Sequence, residues 1–296
     1  MAKPTVKQFQ NRIWTYYKKN ARDLPWRHAE RAKSHAKRGG AYYDPYRVLI
    51  SEIMLQQTQV SRVLKKYPEF LRAFPNFLAL ARAPLSKVLR LWQGMGYNRR
   101  AVALRSIAKI VTKEYGGRLP NDLEVLEQLP GIGHYTARAV VCFAVGTCEP
   151  FLETNIRRVF IHFFHSRGKN ISDQTLLIDL KRTQPSKRQR EWYLALMDYG
   201  AMLGQKRENA NRRSRHYRKQ SKFEGSNRQL RGMIVKMLVE NKIMDKKAII
   251  KGVAETFRLR NNLRRLKPAA TTLHTILATL TKEGFIIKRE SLYRLR

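Results

Sequence analysis

Residues 129 to 159 read LPGIGHYTARAVVCFAVGTCEPFLETNIRRV, and this stretch decides the fold. Leu129-Pro130-Gly131-Ile132-Gly133 is a Gly-x-Gly turn between two helical patterns. Glycine permits positive φ and lets another backbone come close. The main-chain N–H groups of such a turn, with the N-terminus of the helix that follows, form a socket for a phosphate. Thr136 to Gly146 is apolar and rich in small residues, as in a buried helix. Glu153 then stands just ahead of Asn155, Arg157 and Arg158. An acid beside a phosphate socket hinders the binding of a polyanion, so it points to chemistry.

Outward from this stretch the chain is a succession of helices. Val6 to Lys19 sets Phe9, Ile13, Tyr16 and Tyr17 at helical spacing, a docking helix that ends at Leu24-Pro25-Trp26-Arg27. Residues 28 to 41 form a basic, Gly-containing loop, either solvated or placed for extra phosphate contact. From Pro45 to Gly168 helices follow one another, with breaks expected near Pro68, Pro75, Pro84, Gly94–Gly96 and Gly116-Gly117. No window there alternates, so no sheet is expected. Ile171 to Leu203 holds two more helices, which completes a module over residues 1–205.

Residues 206–225 form a basic linker that orders on docking or tracks phosphates. After Ser226 the pattern changes. Leu230, Met233, Ile234, Met237 and Leu238 make one apolar stripe, Ile249, Ile250, Val253, Ala254 and Phe257 a second, and Leu273, Ile276, Leu277 and Leu280 a third. FIIKRESLYRLR, after Gly284, reads as a hairpin. Three helices and a terminal hairpin predict a winged-helix-like domain over 226–296, with Arg258, Arg260, Arg264, Arg265 and Lys267 as its basic face.

The 296 residues carry 60 Lys and Arg against 22 Asp and Glu, a net charge of +38. Such an excess favours a polyanionic partner, because neutralised phosphates release counterions. A packaging protein would share that charge, but 43% apolar residues in regular helical patterns argue for folded domains. No stretch is long and apolar enough for a bilayer span, and MAKPTVKQFQNRIW lacks the apolar core of a signal peptide. The chain therefore reads as soluble and cytoplasmic. Cys142 and Cys148, the only cysteines, are expected to be buried small hydrophobes rather than a disulfide.

Two further stretches, Ser51-Glu52-Ile53-Met54-Leu55-Gln56-Gln57-Thr58-Gln59-Val60 and Leu91-Trp92-Gln93-Gly94-Met95-Gly96-Tyr97, join the first. Together the three resemble the helix-hairpin-helix DNA glycosylases, and within them the adenine DNA glycosylases of the MutY family, from about Leu24 to Gly204. The resemblance implies an all-α helix-hairpin-helix glycosylase fold. It also implies double-stranded DNA carrying a mismatch or oxidised base as the partner, with no membrane and a monomeric chain.

Cleaving a base from deoxyribose requires a proton for the departing base and stabilisation of the sugar's oxocarbenium ion. Two carboxylates in unlike environments meet both needs. Glu52 lies among Val48-Leu49-Ile50 and Ile53-Met54-Leu55, where burial would raise its pKa and keep it an acid. The resemblance assigns it protonation of the purine ring. It assigns Glu153 stabilisation of the sugar cation, although the family usually has Asp there, and Asn155 the support of that site. Tyr135 stands where strand-cleaving relatives carry a Schiff-base Lys, so the expected product is an abasic site. The same resemblance makes Gln56 and Tyr97 wedges beside the extruded base, Val60, Leu194 and Arg27 part of the base pocket, and Gly131, Gly133, His134, Thr136 and Arg157 the DNA-phosphate contacts.

Three departures from the family stand out. Gly204 occupies the position of the first of four cluster-ligating cysteines, so no iron–sulfur cluster and no metal is expected. Leu194 replaces a Gln or Glu that would bind the amino edge of adenine, as in thymine-mismatch enzymes, whereas Val60 agrees with the adenine enzymes. The Nudix-like C-terminal domain of typical members has no counterpart after Ser226. The reading is a monofunctional glycosylase acting on adenine opposite guanine or 8-oxoguanine. A thymine/uracil mismatch glycosylase and a non-catalytic DNA-binding protein on the same scaffold are the alternatives.

Overall fold

A computed structural model describes residues 3–28, 43–205, 209–220, 222–261 and 270–296. In chain order the first helices are α1 (Val6–Asn20), α2 (Pro45–Leu55), α3 (Val60–Ala73), α4 (Phe77–Arg82), α5 (Leu85–Leu91) and α6 (Arg99–Glu114). Next come α7 (Leu123–Gln128), α8 (His134–Val145), α9 (Thr154–Phe164), α10 (Asp173–Thr183) and α11 (Gln189–Gly204). Last are α12 (Asn227–Asn241), β1 (Ile243–Asp245), α13 (Lys246–Asn261), α14 (Ala270–Lys282), β2 (Ile286–Arg289) and β3 (Leu292–Leu295). Contacts divide the chain into two compact units, Met1–Glu52 with Leu119–Lys219 and Ile53–Arg118 with Gln220–Arg296. The C-terminal segment thus shares its unit with residues 53–118.

The first unit is a helical bundle. Thr5 and Gln8 open α1 with a reciprocal capping box, each satisfying an N–H that the helix itself leaves unpaired. Buried Phe9 on α1 meets Phe160 of α9 at 5.4 Å and Trp192 of α11 edge-on at 5.8 Å. Helices α9 and α11 pack backbone to backbone: a Cβ added at Gly200 would lie 2.2 Å from the Asn155 carbonyl oxygen. One turn on, Gly204 leaves room for the Arg158 guanidinium, which a Cβ there would approach to 2.7 Å.

Two expectations need correction here. Cys142 and Cys148 form a disulfide, with Cα atoms 4.3 Å apart. Gly146 ends α8 at φ +97°, a left-handed conformation that turns the chain back and returns Cys148 to the end of the helix that carries Cys142. Pro68 does not break its helix either, since α3 runs through it from Val60 to Ala73. Tertiary burial of Val63, Tyr67 and Phe70 outweighs the hydrogen bond that proline removes.

In the second unit α12, α13 and α14 precede an antiparallel sheet of order β1-β3-β2. Its hairpin pairs Ile286 with Leu295 and Arg289 with Leu292. The winged-helix-like pattern gains β1, three residues whose register sets Met244 opposite Tyr293. At the basic linker, Ile171 N–H donates to the Arg213 carbonyl and Arg215 N–H returns a bond to the Ile171 carbonyl, both at 2.9 Å. The loop proposed at 28–41 lies outside the described residues but for His28, as do the side chains of Arg258, Arg260, Arg264, Arg265 and Lys267. No helix of the described residues is long and apolar enough to cross a membrane.

Candidate active site

Glu52 sits on α2, 5% exposed, one turn beyond Val48 and Leu49, themselves 2% and 0% exposed. This apolar wall is the physical cause of its acidity change. Burial, reinforced by the charge of Glu153, pushes its carboxyl up to about 7, against the opposing pull of a hydrogen bond from Tyr135 and the charge of Arg27. The Tyr135 hydroxyl donates to Glu52 Oε2 at 2.9 Å. Burial and the carboxylates of Glu52 and Glu153 hold that hydroxyl well above its ordinary range, so it remains a donor. Tyr135 is aimed by α8, whose N-cap is Gly133, and its ring lies edge-on to Phe151 at 5.6 Å. Phe151 in turn stacks on Tyr193 at 4.3 Å.

Glu153 is the N-cap of α9. Its Oε1 accepts the Asn155 and Ile156 backbone N–H groups, each at 2.7 Å, and Asn155 Nδ2 donates to Oε2 at 3.2 Å. Burial draws this carboxyl above the usual range, while the two backbone donors and the Arg158 and Arg157 charges oppose the shift. Capping and chemistry are therefore compatible. One oxygen terminates the helix, and the other accepts from the side-chain amide of Asn155. Asn155 is itself fixed by Arg158, whose guanidinium donates to Asn155 Oδ1 at 2.8 Å and to the Gly200 carbonyl at 2.6 Å. The sequence reading named Arg158 and Gly204 but not the packing that they make with Gly200 around Asn155. The Gly-x-x-x-Gly spacing of the two glycines was the signal that could have found it.

The other candidates divide between buried and surface positions. Leu194 is 6% exposed on α11. Arg27 is 7% exposed, and its two terminal nitrogens grip Asp198 at 2.8 and 2.7 Å, which spends its hydrogen bonds on joining the Pro25–Arg27 turn to α11. In the hairpin, Gly131 takes φ +80°, whereas Gly133 is extended and a Cβ there would meet nothing within 4 Å. His134 is exposed beside Arg138, and Glu127 accepts from Arg138 at 2.6 Å. Thr136 is 3% exposed inside α8. Arg157 forks onto Asp173 at 2.8 and 2.7 Å.

Within the second unit, Gln56 lies in the turn after α2 and Val60 opens α3. Tyr97 is held at φ +47° in the loop before α6. Arg100, buried on α6, was not anticipated as an organiser. Its guanidinium donates to the Ile53, Met54 and Gln56 carbonyls at 2.9, 2.8 and 2.6 Å, and to the Met95 and Gly96 carbonyls at 3.0 and 3.1 Å. One cation thereby joins the Gln56 turn to the Tyr97 loop.

A family profile described as HhH-GPD superfamily base excision DNA repair protein matches residues 50–184. An adenine DNA glycosylase of Mycobacterium tuberculosis is 36% identical over 199 residues, covering 64% of this chain and 60% of the relative. The chain thus spans about 60% of the length of that relative. A thymine/uracil-DNA glycosylase of Methanothermobacter thermautotrophicus is 32% identical over 200 residues, 67% of this chain and 85% of the relative. Among solved structures, a thermostable thymine-DNA glycosylase aligns with a TM-score of 0.58 at 30% identity, over 69% of this chain and 90% of that one. A trapped endonuclease III–DNA covalent intermediate aligns at 0.55 with 18% identity over 69% of this chain and 90% of that one, a likeness of fold. The chain belongs to the HhH-GPD superfamily of base excision DNA repair proteins.

Proposed function

We propose that this protein is a monofunctional DNA glycosylase that extrudes a mismatched adenine, opposite 8-oxoguanine or guanine, and hydrolyses its N-glycosidic bond. The observation that carries the reading is a pair of carboxyls in unlike settings: Glu52 against an apolar wall with a pKa near 7, and Glu153 on a helix N-terminus. With Tyr135 donating to Oε2, Oε1 of Glu52 is the oxygen left to carry a proton to the departing base. The C1′–N bond breaks toward the protonated base, and the Glu153 carboxylate faces the developing cation. Water then adds hydroxide to C1′ and leaves its proton on a carboxylate. Tyr135 offers no amine for a Schiff base, so the product is an abasic site in an unbroken strand. The target must leave the helical stack before either acid reaches it, which gives Gln56 and Tyr97 their role as wedges. Double-stranded DNA is the partner, met by one copy of the chain.

The residues present do not fit an iron–sulfur cluster. Both cysteines of the chain are bonded to each other, and Gly204, at the position of the family's first ligand, packs on Arg158. Electrostatic contact with DNA falls instead to the basic residues after Lys206. A second reading, removal of thymine or uracil opposite guanine, is favoured by Leu194 and by the similarity to a thymine/uracil-DNA glycosylase.

The test is single-turnover cleavage of labelled duplexes pairing adenine with 8-oxoguanine, guanine and thymine, and guanine with thymine and uracil, developed with alkali. Adenine loss abolished by Glu52→Gln, with no strand breaks before alkali, is expected. Thymine or uracil loss would make Leu194 the reporter of the pocket. Tight binding with no product from any duplex would favour the non-catalytic scaffold.

A further inference from the structure

The Tyr97 loop is gripped by the C-terminal segment of its own unit. Gln220 Nε2 donates to the Tyr97 hydroxyl, and Arg228 in the first turn of α12 donates to the same oxygen at 2.6 Å. The Arg228 and Arg100 guanidiniums lie 5.6 and 5.5 Å from the centre of the Tyr97 ring. Two residues along, Arg99 donates to Glu283 just past α14, and Arg231, one turn beyond Arg228, donates to that carboxylate as well. A non-glycine residue at φ +47° persists where its surroundings over-determine it. Here Arg100 fixes the backbone around Tyr97, and the Tyr97 hydroxyl is held from residues 220 and 228, far along the chain and outside the segment matched by the family profile.

We propose that the C-terminal segment positions Tyr97 for the duplex, with Arg228 and Gln220 as positioning residues and Glu283 as the tie that fixes the following turn through Arg99. This rests on the wedge role given to Tyr97 above, and it deepens that role. Selection of the base pair is then set jointly by the Gly94–Tyr97 loop and by α12. Removing the Tyr97 hydroxyl, or the guanidinium that holds it, breaks the same connection, so the two changes together do no more harm than either one.

The experiment is a double-mutant cycle in the full chain with Tyr97→Phe, Arg228→Met and both together. Unstacking is read by the fluorescence of 2-aminopurine at the target position, excision by single turnover on adenine opposite 8-oxoguanine, and affinity on a duplex with a tetrahydrofuran abasic site. Each single change is expected to lower the fluorescence rise and the excision rate by about tenfold, the double change no further, and affinity for the abasic duplex, which needs no unstacking, by less than about twofold. Should Arg228→Met lower the thermal midpoint, Gln220→Ala, an exposed position, carries the same cycle. Additive losses, or none, overturn the positioning role. If the unaltered chain unstacks the base and shows a non-additive cycle but excises nothing, the glycosylase reading fails and the positioning stands. If it excises without any fluorescence rise, Tyr97 is no wedge and the proposal falls.

Discussion

Glu52 shows what one buried carboxyl costs and supplies. Its ordinary pKa of 4.5 is raised to about 7, so the protein holds a proton on it at neutrality. A folded-state value above the unfolded one means stability that is full below about pH 4.5 and lost as pH rises through about 7. Glu52→Gln does not titrate and still accepts the Tyr135 hydrogen bond. It is therefore expected to stabilise the chain by about 3 kcal/mol above pH 7 and by nothing near pH 4, while excision is lost. Urea unfolding at the two pH values checks this. For the wild type, single-turnover excision should fall about tenfold per unit above about pH 7 as Glu52 loses its proton, and fall again in acid as the Glu153 carboxylate takes one up. Tyr135→Phe removes a hydrogen bond that lowers the Glu52 pKa, so it should move that alkaline limb to higher pH and leave the abasic product unchanged. An unmoved limb would detach Tyr135 from the acid.

At the scale of elements, the Glu153 site depends on how closely α9 and α11 approach. A methyl at Gly200 meets the Asn155 carbonyl, which is backbone and cannot swing aside. Gly200→Ala is expected to cost about 1–3 kcal/mol and to displace Asn155, lowering excision more than DNA affinity. Thermal melts and the single-turnover rate together separate these effects. The disulfide acts on a different element, closing a loop between positions six apart at the end of α8. Loop-closure entropy gives it about 2 kcal/mol, so a reductant should lower the thermal midpoint by about 5 °C. These elements also mark how far sequence patterns reach. The periodicity of α1, the stripes of α12 to α14 and the hairpin of β2 and β3 are all plain in the chain. The run of α3 through Pro68 is not, because a local proline signal was weighed without the burial that overrides it. Strand β1 is too short to show a period and exists only as the partner of β3.

For the whole molecule, a net charge of +38 makes ionic strength the governing variable of association. If about six phosphates are neutralised, the binding constant for a duplex should fall about a thousandfold between about 50 and 200 mM salt. A flat profile in a salt titration would remove the basic linker and hairpin from the contact surface. Arg157, one of the expected phosphate contacts, is engaged within the protein with Asp173. The measured slope therefore reports how many cations remain for DNA.

The sequence by itself determined the helical class, the Gly-x-Gly hairpin, the two acids and the tyrosine in place of an amine. Each of these is written in residues close together, or in a motif whose chemistry is local. Only the tertiary structure decided that Tyr135 holds Glu52, that Arg158 and two glycines set the Glu153 site, that Arg27 serves Asp198, and that α12 holds Tyr97. Those are contacts between residues far apart in the chain, and they arise from burial and backbone approach, which no local pattern encodes.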